Sequence, residues 1–168
     1  MEKNKNNINF NVSLAKERCK NARLRILEIS QKVSALHVGA AFSCIDMLDC
    51  IYYGFINKNS DLNPIDKFIL SKGHGGIAQY VVLEQLGILD SSLVDSYCSS
   101  GGKLGCHPDY GLPGIEASTG SLGHGMSISI GMAHAKANIL NESGNIFILL
   151  SDGEFQEGST WEAMMMAA

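Results

Sequence analysis

Four short stretches carry side chains that could do chemistry together. The first is Ser151-Asp152-Gly153-Glu154, with Glu157 close behind, where a carboxylate and a bare backbone arrive directly after the apolar run Ile146–Leu150. An aspartate at the carboxyl end of a buried strand can hold Mg²⁺, a hard cation that takes oxygen ligands and shares them with phosphates. Gly153 lets a phosphate come close because no Cβ intervenes. The plainer alternative is that Asp152 or Ser159 caps the helix that follows. The other three stretches each hold a histidine in a Gly- or Pro-flanked loop: His37 in Leu36-His-Val-Gly, His74 in Lys72-Gly-His-Gly, and His107 in Cys106-His-Pro-Asp. A lone histidine of this kind is commonly a structural hydrogen-bonding group. Several converging on one crevice can bind phosphate or hydroxyl oxygens and move protons near neutral pH.

The elements that must position these groups follow from periodicity. Val12 to about Val33 reads as a helix, with small or apolar residues at Ala15, Cys19, Ala22, Ile26 and Ile29. Leu14, Leu24, Leu27 and Val33 broaden that stripe, so two neighbours are expected. Lys16, Arg18, Lys20, Arg23 and Arg25 read as a solvated basic face. Residues 1–11, rich in Asn and Lys, are expected to fray. The loop Ser34–Ala41 leads to a second helix from about Cys44 to Ile56, then a polar connection, Asn57–Pro64. Asp66–Ser71 reads as a strand, Ile77–Leu86 as a helix, and Ser92–Cys98 as a short helical piece. Eight glycines between Gly101 and Gly125 predict tight turns or close approach to a ligand. A helix over Met126–Leu140 precedes Ile146–Leu150, which is expected to be a strand buried on both faces. Strand, polar turn and helix occur twice, the pattern of an α/β fold with an open, mostly parallel sheet flanked by helices. In such sheets ligands bind beyond the carboxyl ends of the strands.

Composition excludes several classes. The 168 residues are 45% hydrophobic with a net charge of -4, one domain's worth of chain without the basic surface of a nucleic-acid binder. No apolar run is expected to span a membrane. The amino terminus lacks an apolar signal core, so a cytoplasmic location is expected. Five cysteines with no CxxC pair predict reduced, mostly buried thiols and no zinc site. Gly73-His-Gly-Gly is not followed by Gly-Lys-[Ser/Thr], Gly120-x-x-Gly-x-Gly has the wrong order for a dinucleotide fingerprint, and no Gly-x-Ser-x-Gly elbow occurs. The chain reaches Ala168 inside a helical pattern with no stop signal, so an incomplete domain over residues 12–168 is expected.

Taken together, five stretches stand in the order found in the transketolase family. They are Ser34-Ala-Leu-His-Val-Gly39, Leu70-Ser-Lys-Gly-His74, His107-Pro-Asp-Tyr110, Gly114-Ile-Glu-Ala-Ser-Thr-Gly-Ser-Leu-Gly123 and Asp152-Gly-Glu-Phe-Gln-Glu-Gly158. The chain most resembles the short amino-terminal subunit of split transketolases. That resemblance implies a thiamine diphosphate-binding fold, the cofactors thiamine diphosphate and Mg²⁺, and transfer of a two-carbon ketol unit from a ketose phosphate to an aldose phosphate. It implies catalytic roles for His37, His74 and His107, with His74 also beside the diphosphate. Asp152 becomes the metal ligand, Gly120, Leu122, Gly153 and Glu154 join the cofactor site, and Glu157 lies near a subunit interface. Sugar phosphates and a carboxyl-terminal subunit or pyrimidine domain are the implied partners, in an oligomer. Ser151 departs from the first glycine of the family's Gly-Asp-Gly turn, and His124 stands where many relatives have glutamine. The asparagine that completes the family's metal site and the pyrimidine domain with its activating glutamate have no counterpart here, so negligible activity is expected of this chain alone. The alternatives are a 1-deoxyxylulose-5-phosphate synthase-like enzyme, against which His107-Pro-Asp-Tyr and Gln156-Glu-Gly argue, and a non-catalytic truncated binding module.

Overall fold

The computed structural model describes residues 10–33, 36–56 and 65–168. The first nine residues, Ser34 and Ala35 of the His37 loop, and the connection over 57–64 lie outside the described residues, along with what the sequence predicts for them. Helix α1 spans Val12–Ser30 and α2 spans Val38–Cys50, continuing through a wider π turn, Ile51–Phe55. Strand β1 (Lys67–Leu70) and a 3-10 turn (Gly73–Gly75) lead into α3 (Gly76–Gln85) and the short α4 (Ser91–Asp95). After the glycine-dense loop come α5 (His124–His134) with a second π turn, strand β2 (Ile146–Leu149), a 3-10 turn (Asp152–Gln156) and α6 (Gly158–Ala167). The strands pair in parallel, Leu70 opposite Leu149, as the α/β reading requires. Among the described residues the sheet has these two strands, and helices flank it.

Most of the core is a three-helix unit. Helix α1 buries Ala15, Cys19, Ala22, Ile26 and Ile29, the residues its spacing predicts, against α2 and α3. Helix α3 is buried from Gly76 to Leu83, and Tyr80 meets Tyr97 edge-on with ring centroids 6.1 Å apart. Asn11, expected to fray, instead caps α1: its Oδ1 accepts the Leu14 N–H at 3.1 Å.

Several expectations change. The basic face of α1 is no solvated surface at its arginines. Arg18 forks onto the buried Asp49 of α2 with bonds of 2.6 and 2.8 Å, and its guanidinium lies 3.9 Å from the Tyr53 ring centroid. Arg23 reaches Asp46 on α2, and Arg25 binds Glu84 of α3 and Asp95 of α4. These ties, rather than Leu14, Leu24 and Leu27, which stay exposed, carry α1 beyond its narrow apolar stripe. Helix α2 begins six residues earlier than predicted, at Val38, and buries Ala41 in its first turn. Val38–Phe55 is consequently an eighteen-residue helix apolar enough to pass for a membrane span, against expectation. Its inner face is a core face, and Asp46 and Asp49 pair with α1. Strand β2 is not buried on both faces. Among the described residues it pairs only with β1, and of its four residues only Leu149 is buried. All five cysteines are free, but only Cys19 and Cys44 are buried.

Candidate functional site

Three loops meet at the carboxyl ends of the two strands. The first follows β1, where Ser71 and Lys72 N–H groups both donate to Leu149 of the neighbouring strand, at 2.9 and 3.4 Å. The chain then turns through Gly73-His-Gly into α3. The second is the segment His107–Gly125. Thr119 Oγ1 donates to the Leu70 carbonyl at 2.7 Å, its N–H donates to Pro108 at 3.1 Å, and Tyr80 Oη donates to the His107 carbonyl at 2.8 Å. The third follows β2 through Asp152–Gln156.

Glycines let these loops touch backbone to backbone. A Cβ on Gly73 would stand 2.7 Å from the Gly120 nitrogen, and one on Gly125 would stand 2.3 Å from Ser71 Oγ. Gly123 has a φ of 81°, a conformation that favours glycine, and its Cα faces Glu157 and Ser159 across the third loop. Much of the glycine density therefore serves loop-to-loop packing as well as turns.

The result gathers the three predicted imidazoles. His37 is the residue before α2 and exposed; its ring centroid lies 6.0 Å from that of His74 and 6.2 Å from that of His107, both half-buried. Burial, then the charges of Lys72 and His37, hold the His74 imidazole below its ordinary proton affinity, with Glu154 opposing them. A neutral ring can accept as well as donate. Gly120 lies against the His107 ring, and Leu122 is half-buried two residues on.

The third loop divides its acidic residues. Asp152 is exposed at the tip of β2 and its carboxylate has no hydrogen bond or ion pair among the described residues; a Cβ on Gly153 would meet nothing within 4 Å. The capping alternative does not hold for either candidate. Ser151 and Glu157 occupy the cap positions, and Ser159 Oγ donates to the Gly123 carbonyl at 3.1 Å. Glu154, which the resemblance places in the cofactor site, is a brace among the loops. Its side chain is fully buried, Oε1 accepts the Ser71 hydroxyl and the Gly123 N–H (3.1 Å), and Oε2 accepts the Ser151 N–H (2.8 Å) and hydroxyl (3.3 Å). One carboxylate thus ties all three loops, leaving no free lone-pair direction toward a ligand. Sequence reasoning missed Ser71 and Thr119, whose partners lie 83 and 49 residues away.

The family described as transketolase, thiamine diphosphate binding domain, matches residues 14–168. The chain belongs to the transketolase family. It is 38% identical over 146 residues to an apulose-4-phosphate transketolase subunit from Phocaeicola vulgatus, an alignment covering 85% of this chain and 52% of that protein. It is 35% identical to a transketolase from Halalkalibacterium halodurans, covering 86% of this chain and 24% of the relative. In three dimensions it superposes on transketolase from Campylobacter jejuni with a TM-score of 0.84 at 27% identity, covering 94% of this chain and 26% of the other. Transketolase from Leishmania mexicana gives 0.80 at 25% identity, covering 91% of this chain and 25% of the other. The chain spans about half the length of the P. vulgatus relative and about a quarter of the H. halodurans transketolase.

The residues of this transketolase domain fit a diphosphate-bearing cofactor. Asp152 offers an uncommitted carboxylate beside a glycine with open space over it, and glycines in the other two loops pack closely, Gly73 against Gly120. Among the described residues no three His, Cys, Asp or Glu side chains form a metal cage, so a cation there would take oxygen ligands besides Asp152.

Proposed function

We propose that this chain is the diphosphate-holding part of a transketolase, an α/β domain over residues 12–168, which transfers a two-carbon ketol unit from a ketose phosphate to an aldose phosphate when joined to the segment that completes the metal site and to a pyrimidine domain. The observation that carries the reading is the His37 ring standing 6.0 Å from that of His74 and 6.2 Å from that of His107, on loops at the strand ends that also expose Asp152. Thiamine diphosphate, when bound, supplies the carbon centre that stabilises the transferred unit's negative charge. Asp152 would hold Mg²⁺ against the diphosphate, with Gly153 allowing close approach. Gly120 and Leu122 would line the aminopyrimidine side. The lowered proton affinity of His74 suits a group that accepts from a hydroxyl or orients one at neutral pH, while His37 and His107 bind hydroxyls and return protons. Glu157, exposed beside Gly123, is assigned to a subunit interface.

A separate partner is supported by relatives that are themselves named as transketolase subunits. The P. vulgatus apulose-4-phosphate protein is one, and a Clostridium relative is named a 6-deoxy-6-sulfo-D-fructose transketolase subunit. The assembled enzyme is an oligomer that acts on phosphorylated sugars in the cytoplasm, where five free thiols stay reduced. The test is a ketol-transfer assay with ribose 5-phosphate as acceptor. The purified chain gives no transfer, and transfer appears when the segment with the metal-site asparagine and a pyrimidine-domain subunit are both supplied, with thiamine diphosphate and Mg²⁺. Robust transfer by this chain alone, or turnover only with pyruvate and glyceraldehyde 3-phosphate, would overturn the reading.

A further inference from the structure

We infer that Cys106 is a positioning residue for His107, holding the imidazole with its proton on Nε2; this rests on the reading of His107 as a group that meets the substrate. Cys106 Sγ lies 3.0 Å from His107 Nδ1, and both residues are half-buried. A neutral imidazole has one N–H and one bare lone pair, and the partner of one nitrogen decides what the other offers. Thiol sulfur accepts poorly, whereas a ring lone pair accepts well, so the S–H donates to Nδ1 and the ring proton stays on Nε2.

The surroundings leave the ring little freedom. Tyr80 from α3 holds the His107 carbonyl at 2.8 Å, and Thr119 holds the next carbonyl, that of Pro108, at 3.1 Å. Gly120 packs on the ring edge: a Cβ there would stand 3.1 Å from Cδ2, the carbon bonded to Nε2. Nε2 itself makes no hydrogen bond among the described residues. The other titratable groups of this neighbourhood are His37 at the start of α2, His74 after β1, Tyr80 on α3, and Cys98 and Asp109 on the flanking loops. None of them is bonded to a ring nitrogen of His107. A ring fixed in this way donates from Nε2, so His107 meets a substrate oxygen first as a hydrogen-bond donor.

Histidine-labelled nitrogen NMR on the 168-residue chain tests this, with His107→Gln used to assign the signals. In the native chain Nδ1 reads as unprotonated and Nε2 as protonated. Cys106→Ser, whose hydroxyl can donate to the same nitrogen, keeps that pattern, and Cys106→Ala relaxes to a mixture of the two tautomers. A native ring protonated on Nδ1, or a Cys106→Ala chain whose tautomer matches the native one, overturns the inference. No cofactor or substrate enters these readouts, so they stand or fall apart from the ketol-transfer reading.

Discussion

The α1–α2–α3 unit and the α5–β2–α6 region are built on opposite terms. In the first, apolar stripes face inward and arginines seal the seams: Ile26, Ile45, Leu48 and Leu83 are fully buried, and Arg18, Arg23 and Arg25 each grip an acid on another helix. In the second, α5 buries only Gly125 and Ser129, α6 buries only Thr160 and Ala163, and Trp161, Met165 and Met166 are exposed. The candidate site lies where the two regions meet, with His74 preceding α3 and Asp152 reached from β2. The stable region fixes where the imidazoles stand. The open region supplies the carboxylate and the close-packed loops, held to the first chiefly by Glu154, Thr119 and the β1–β2 pairing.

That contrast can be broken most forcefully from inside the stable region. Leu48→Ala removes a fully buried side chain and is expected to cost about 3 kcal/mol by urea denaturation, whereas Met166→Ala in α6 changes stability by less than about 0.5 kcal/mol. Equal costs would mean that the two regions do not differ in the way described. Next in size is the brace. Glu154→Ala leaves the Ser71 and Ser151 hydroxyls and two N–H groups without their acceptor, at a cost of about 2 kcal/mol. Its signature is regional: amide exchange should quicken at Gly123 and Ser151 but not in α1.

The smallest effect is a pH dependence from His74. Its imidazole titrates below the ordinary 6.5 in the folded chain, so the unfolded chain binds more protons as pH falls through that value. The contribution is harmless above about pH 6.5, and stability is lost below it, down to the lower folded value. In His74→Gln, the decline in urea midpoint between neutral and mildly acid pH should be shallower; a steeper decline would reverse the assigned sign.

What the residues disclosed in advance, and what they withheld, follows the range of the interactions. The stripe from Ala15 to Ile29 and the Gly- or Pro-flanked histidines are local patterns; the fold buries the first and brings the rings of the second near one another. The start of α2 was masked because Gly39 imitates a loop residue. The arginines looked solvated because their acids lie on other helices, in the case of Arg25 and Glu84 some 59 residues away. The bracing role of Glu154 was hidden because its partners Ser71 and Gly123 come together only when the strands pair. Strand β2 reads as doubly buried from its apolar run, but burial depends on which neighbours cover it.

The central claim is that Asp152 and the neighbouring loops hold a magnesium-bound diphosphate. Calorimetric titration of thiamine diphosphate with Mg²⁺ present and absent, on the native chain and on Asp152→Ala, tests it most directly. The native chain is expected to bind in a Mg²⁺-dependent way, and Asp152→Ala at least about tenfold more weakly, through the loss of one charge-assisted contact. Equal affinity in the two chains, with or without the metal, would contradict it.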